Sequence, residues 1–83
     1  MLSELKLREE LSEVFIKFQV VDGHMEALAY EHRDDKEPIA CLTVVPSYLA
    51  LESVEAFMPQ LSHTLCWEYL AVPGKQGMYY VHH

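Results

Sequence analysis

Histidine and cysteine side chains are the first candidates for chemistry in this 83-residue chain. The five histidines are His24, His32, His63, His82 and His83. Zinc sites need Cys and His ligands at close spacing, whereas this sequence has neither Cys-x-x-Cys nor His-x3-His. Adjacent strand residues point to opposite faces, so His82 and His83 cannot easily chelate one ion. The spacing therefore predicts no metal site.

A Cys–His pair for nucleophilic catalysis is the second candidate. Either cysteine would supply the thiol, and His24, His32 or His63 would supply the base. Cys41 and Cys66 lie in the apolar runs ACLTVV and TLCWEYL, which predict buried thiols that pack as small hydrophobic groups; a disulfide or a redox pair is the alternative. No glycine follows either cysteine to open an oxyanion hole. The sequence therefore predicts no catalytic residue.

Carboxylates outnumber cations, with 13 Asp+Glu against 6 Lys+Arg and a formal net charge of -7. The adjacent pairs Glu9-Glu10 and Asp34-Asp35 lack the apolar surroundings that raise a carboxyl pKa for acid–base catalysis. The segment PGKQG at residues 73–77 lacks the spacing of a phosphate-binding Walker loop. No cofactor is predicted.

This charge balance also limits the classes of partner. An acidic protein repels nucleic-acid phosphates and anionic membranes, and it associates with basic partners. The basic residues are scattered, and only Lys75 follows Glu37, so no direct nucleic-acid binding is predicted. Ten carboxylates lie in the first 37 residues, where they could imitate a phosphate backbone; ordinary solubilising charge is the alternative.

Two groups of residues are candidates for a protein-binding surface. One is acidic and lies around the polar turn RDDKEP, and the other is aromatic and lies on the last predicted hairpin. The first consists of Glu31, Asp34, Asp35 and Glu37, and the second of Trp67, Tyr79 and Tyr80. Tyr and Trp commonly anchor interfaces, with core packing as the alternative. Tyr79 and Tyr80 should point to opposite faces of a strand, so at least one should leave the core.

These patterns together predict a non-enzymatic protein-binding module, namely a small acidic inhibitor or adaptor. Its most specific form is a phage or mobile-element inhibitor that blocks a nucleic-acid-handling host complex by charge mimicry. The expected partner is a protein with a basic surface, and a homodimer is a further expectation because the chain is short. The alternative is a small enzyme or ligand-binding domain that uses a Cys/His pair.

The expected location is the cytoplasm of a bacterial cell or of an infected host cell. No apolar run approaches the roughly 20 residues of a membrane helix. The start of the chain, MLSELKLREELSE, matches neither a secretory signal nor a transit peptide. A membrane partner is therefore not predicted.

The elements that would position these residues form one α+β domain over residues 1–83. Hydrophobic residues make up 51 % of the chain, which is enough for a core. The spacing predicts a helix over residues 3–12. The run VFIKFQVV predicts a strand from about Val14 to Val21, although an extension of the helix to Gln19 is the alternative. Asp22-Gly23 predicts a tight hairpin turn.

The rest of the chain completes an antiparallel sheet of four or five strands, with two helices on one face. The predicted strands are residues 24–32, a central strand at 39–45, and a final hairpin of 65–72 and 78–82. A helix is predicted near residues 49–62, kinked near Glu55 or broken before Pro59. The expected order is α-β-β-β-α-β-β, or α-β-β twice.

Overall fold

The computed structural model describes residues 9–83 and shows a five-stranded antiparallel sheet with an α-helix packed on one face. The strands are β1 (Glu13–Val21), β2 (His24–Tyr30), β3 (Ala40–Pro46), β4 (Glu68–Ala71) and β5 (Met78–His82). A 3₁₀ helix, Ser47–Leu49, leads into the helix α1, Ala50–Leu65. The strand order is β3-β2-β1-β5-β4. The broad α+β class is confirmed.

The predicted helix over residues 3–12 lies largely outside the described residues. Residues 9–12 of it are described, and Glu9 and Glu10 among them are helical. The strand predicted next is confirmed, and the alternative helix to Gln19 is wrong. Val14 and Ile16 are fully buried while Lys17 is exposed, which is the alternation of a half-covered strand. Asp22 and Gly23 have φ values of 48° and 82°, the positive pair that a type I′ hairpin requires.

Strand β3 differs from its prediction as a central strand covered on both faces. Within the described sheet it is an edge strand whose one neighbour is β2, and Cys41 and Val44 are exposed. A continuous run of apolar residues indicates a strand, but it does not specify how many neighbours that strand has. The register of β2 and β3 also shifts between Ala27 and Leu28, which interrupts the regular pairing of this edge.

Helix α1 continues through Pro59 to Leu65, so the predicted break before Pro59 is wrong. A proline inside a helix costs about 3 kcal/mol because it lacks an N–H and crowds the preceding turn. Leu61 and Leu65 lie beyond it and are almost completely buried. Each contributes about 1.5–3 kcal/mol, so their burial offsets the cost of the proline.

The C-terminus of α1 explains why strand β4 is shorter than predicted. The N–H of Cys66 donates to the carbonyl of His63, and the N–H of Trp67 donates to that of Ser62 at 3.0 Å. These bonds, with Cys66 at a φ of 59°, form a Schellman motif that ends the helix. The chain therefore leaves the helix at residues 66–67, and β4 begins only at Glu68.

The core lies between α1 and one face of the sheet, called here the helix face. The helix supplies Met58, Leu61 and Leu65, and the sheet supplies mainly small and branched side chains. The other members of the buried cluster are Val14, Ile16, Ala27, Ala29, Ala40, Trp67 and Val81. The opposite surface of the sheet carries the alternate residues, including Phe15, Lys17, Tyr30 and Tyr80. Because connecting turns flank it, we call this surface the loop face.

Candidate binding site on the loop face

Two turns border a cleft of about 530 Å³ on the loop face. One turn joins β2 to β3 and contains residues 33–36; the other joins β4 to β5 and contains residues 74–76. The sheet contributes Lys17 from β1, Tyr30 from β2 and Met78 from β5. The full lining is Lys17, Tyr30, Arg33, Asp34, Asp35, Lys36, Gly74, Lys75, Gln76 and Met78.

The first turn is held by a carboxylate of its own. The Asp35 Oδ2 atom accepts a hydrogen bond from the backbone N–H of His32 at 3.1 Å. The N–H of Asp35 donates a hydrogen bond to the carbonyl of His32 at 3.2 Å. At the end of the turn, the N–H of Ile39 donates to the carbonyl of Ala29 at 2.7 Å. Asp35 therefore shapes the turn as well as lining the cleft.

The second turn is anchored to the neighbouring strand β1. The N–H of Phe18 donates to the carbonyl of Gly77 at 2.8 Å. Gly77 has a φ of 76°, and a Cβ atom on it would lie 3.2 Å from the Phe18 carbonyl oxygen. The positive φ favours glycine here, and a Cβ atom would also require the Phe18 carbonyl to shift by a few tenths of an ångström.

The cleft gathers basic residues that are far apart in the sequence. Lys17, Arg33, Lys36 and Lys75 line it, and they are all the Lys and Arg residues between positions 9 and 83. None of them forms a salt bridge with a described carboxylate. In the sequence these cations are scattered, and their cluster was not predicted. The missing information was strand order, which places β5 and its turn beside β1.

Tyr30 is the most buried polar side chain of the cleft, at 7 % exposure. Its hydroxyl group has no hydrogen-bond partner among the described residues. Burial raises the pKa of Tyr30 above 10.0, and the charges of Glu37 and Glu26 raise it further. The hydroxyl is therefore protonated at neutral pH and can donate a hydrogen bond.

A second, more apolar groove of about 280 Å³ adjoins the cleft, and Arg33 lines both. The remaining lining residues are Glu13, Phe15, Leu70, Val72, Pro73 and Tyr80. The rings of Tyr80 and Phe15 have centroids 5.0 Å apart. The Tyr80 hydroxyl donates to the Glu13 carboxylate, and this bond is the main reason why the pKa of Tyr80 is raised.

The predicted binding residues divide between the two faces. Glu31, Asp34, Asp35 and Glu37 are exposed on the first turn, and Tyr80 lies in the adjoining groove. Trp67 is 3 % exposed in the core, which favours its alternative role in packing, although its indole Nε1 has no hydrogen-bond partner among the described residues. Tyr79 packs against the core, its ring 5.9 Å from that of Phe18.

The prediction that both cysteines are buried is wrong, because Cys41 and Cys66 are exposed free thiols. Cys41 lies on edge strand β3, and Cys66 lies at the helix end. Their Sγ atoms contact the backbone carbonyls of Thr43 at 3.9 Å and His63 at 3.7 Å. Within residues 9–83, neither thiol is bonded to an imidazole ring.

The described histidines and carboxylates do not converge on a metal-binding geometry. His24 Nε2 contacts Glu26 Oε1 at 2.9 Å, but no three His, Cys, Asp or Glu side chains in the described part of the chain form a group that could hold an ion. Over the same residues, no helix is both long and apolar enough to cross a membrane.

Comparison with known proteins adds no relative to this description. A scan against protein-family models gave no match. Searches of curated proteins and of solved structures gave none either.

Proposed function

We propose that this protein is a non-enzymatic protein-binding module that acts as a small acidic inhibitor or adaptor for a partner with a basic surface. The supporting observation is the separation of charge. Every Lys and Arg of residues 9–83 lines one cleft, whereas ten of the twelve carboxylates of the same residues lie outside its lining. These carboxylates are Glu9, Glu10, Glu13, Asp22, Glu26, Glu31, Glu37, Glu52, Glu55 and Glu68. Their field attracts basic proteins and speeds encounter.

The contact surface that we propose combines the first turn with the apolar groove. Glu31 and Glu37 are exposed on that turn, whereas Asp34 and Asp35 share the cleft with four cations and present less net negative charge. Tyr80 lies in the groove beside the turn and is half-buried. It would act as the anchor of the interface, with the carboxylates at its rim.

In its most specific form, the module is a phage or mobile-element inhibitor whose carboxylates replace nucleic-acid phosphates in a host complex. A homodimer is a second proposal, because edge strands β3 and β4 each have an unpaired side within the described sheet. Unpaired strand edges can pair with another chain. Sedimentation at several concentrations tests the dimer independently of any partner.

Charge reversal on two faces tests the main proposal. The variant E31K/E37K reverses the turn, and the matched control E52K/E55K makes the same change in net charge on the exposed side of α1. Partners from a cell lysate are captured on both variants and on the unchanged protein, and association rates are then measured with the purified partner. The turn variant should slow association several-fold, because rim charges act mainly on the association rate.

The dependence of binding on salt supplies the result that would contradict the proposed acidic interface. The Debye length falls from about 10 Å at 0.1 M to about 3 Å at 1 M salt, so the affinity for a basic partner must fall as salt is added. An affinity that is insensitive to salt and to both variants would overturn the acidic interface. Equal losses in both variants would retain a basic partner but reject the turn as the contact surface.

A further inference from the structure

The cation-lined cleft has the properties of a ligand site that protein binding through carboxylates does not use. Its volume of about 530 Å³ lies within the range of small-molecule sites, about 300–1,000 Å³. Two turns and three strands border this open cleft, and both turns are fixed by hydrogen bonds within the sheet or the turn itself. The cleft is therefore preformed.

Its charge is opposite to that of the protein as a whole. Lys17, Arg33, Lys36 and Lys75 line the cleft together with two carboxylates, Asp34 and Asp35, so the lining carries net positive charge. Outside the lining, the charges of Glu37 and Glu26 also act on Tyr30. None of the four cations is paired with a described carboxylate, although carboxylates are in excess. Like charges held near one another repel, and a bound anion would relieve that repulsion.

The sheet residues of the cleft add a hydrogen-bond donor and an apolar floor. Tyr30 is 7 % exposed and its hydroxyl is unpartnered among the described residues, so it can donate to an anionic oxygen. Met78 is also buried and offers apolar contact beside it. Arg33 can form paired hydrogen bonds with two oxygens of one phosphate group. A site with these parts suits an anionic group attached to an organic body.

We propose that this cleft binds a small organic phosphate, whose phosphate oxygens are held by Lys17, Arg33, Lys36 and Lys75 and by the Tyr30 hydroxyl. The organic part rests on Met78. The cleft is larger than a phosphate ion needs, so the organic part should add affinity. The inference goes beyond the proposed protein binding, and either can fail without the other because this ligand is assayed on the isolated protein.

Direct titration of the full chain at low salt tests the site. The probes are adenosine 5′-monophosphate, ribose 5-phosphate and inorganic phosphate, with adenosine as the neutral control and citrate as the polycarboxylate. Calorimetry measures affinity, and amide chemical shifts report the location. An organic phosphate should bind more tightly than inorganic phosphate, adenosine and citrate, and its shifts should map to the two turns, Lys17 and Tyr30.

Matched variants connect affinity to the cleft. Lys75→Gln and Arg33→Gln should each weaken the organic phosphate about tenfold, the effect of losing one charged hydrogen bond. Ala56→Glu on the exposed side of α1 makes the same change in net charge and should have little effect. Tyr30→Phe keeps the ring and should weaken binding several-fold.

Three results would overturn the proposal. They are no binding by either organic phosphate, citrate binding more tightly than both of them, and equal losses in Lys75→Gln and Ala56→Glu. The last result would mean that net charge alone attracts the anion. Folding of each variant is checked by its amide spectrum, and Tyr30→Phe is the decisive variant if a charge variant does not fold.

Discussion

The two faces of the sheet are covered in different ways, although the same strands build both. On the helix face, Val14, Ile16 and Ala29 have no exposed surface because α1 covers them. On the loop face no described helix covers the alternate strand residues: Tyr30 and Met78 are buried, but Lys17 remains exposed. The helix face supplies most of the apolar packing, whereas the loop face has the cleft, the apolar groove and a cluster of cations that form no salt bridge with a described carboxylate. The helix face therefore holds most of the core, whereas the loop face carries both proposed binding surfaces.

The adjacent residues Ile16 and Phe15 give the most direct test of this difference. Ile16→Ala should lower the free energy of unfolding by about 2–5 kcal/mol, because the cavity would lie in a closed core. Phe15→Ala should cost less, because Phe15 is half-buried beside an open groove. Urea unfolding followed by circular dichroism measures both. Equal costs would show that the loop face is packed as tightly as the helix face.

A proline in the covering helix gives the next largest expected effect. Pro59 is exposed while Leu61 and Leu65 are buried beyond it. Pro59→Ala should raise the free energy of unfolding by about 1–3 kcal/mol, since it restores an N–H donor and removes a clash. Thermal unfolding should show an increase of about 4–8 °C per kcal/mol. An unchanged or lower melting temperature would mean that the backbone and packing of α1 are adapted to Pro59, so that its replacement adds no stability. Ala56→Ser, on the same exposed side, controls for a substitution without this effect.

The sequence predicted local elements better than their arrangement. Asp22-Gly23 specified its hairpin, and the alternation of Val14 and Ile16 with polar neighbours specified β1, because both signals depend on residues close in the chain. The position of β3 at an edge depends on which strands pair across the sheet, and its apolar run does not encode that. The exposure of Cys41 follows from this edge position, so its predicted burial failed for the same reason.

The candidate site shows the same limit. The acidic turn was predicted as exposed, and it is exposed, because five charges and a proline cannot form a core. The cation cluster was not predicted, since Lys17 and Lys75 meet only after β5 pairs with β1. Trp67 was a candidate anchor from its residue type alone, and its burial depends on how the chain turns at the end of α1. The cation cluster and the burial of Trp67 both depend on contacts between residues far apart in the chain, which a local sequence pattern does not encode.

The smallest expected effect lies on the loop face, where Tyr80 donates a hydrogen bond to Glu13. This bond favours the protonated phenol, so the folded protein binds that proton more tightly than the unfolded chain does, and the pKa of Tyr80 lies above 10.0. The resulting contribution to stability is present below about pH 10 and is lost as the pH rises through the folded pKa. Glu13→Ala should lower the pKa of Tyr80 towards 10.0, as measured by phenolate absorbance with Tyr80→Phe to identify the band. Glu37→Ala is the matched control, because Glu37 acts on Tyr30 and should leave the Tyr80 band in place. If the Tyr80 band does not move in Glu13→Ala, the hydrogen bond between Tyr80 and Glu13 does not form in solution. The groove that both residues line would then be more open than it is with that bond in place.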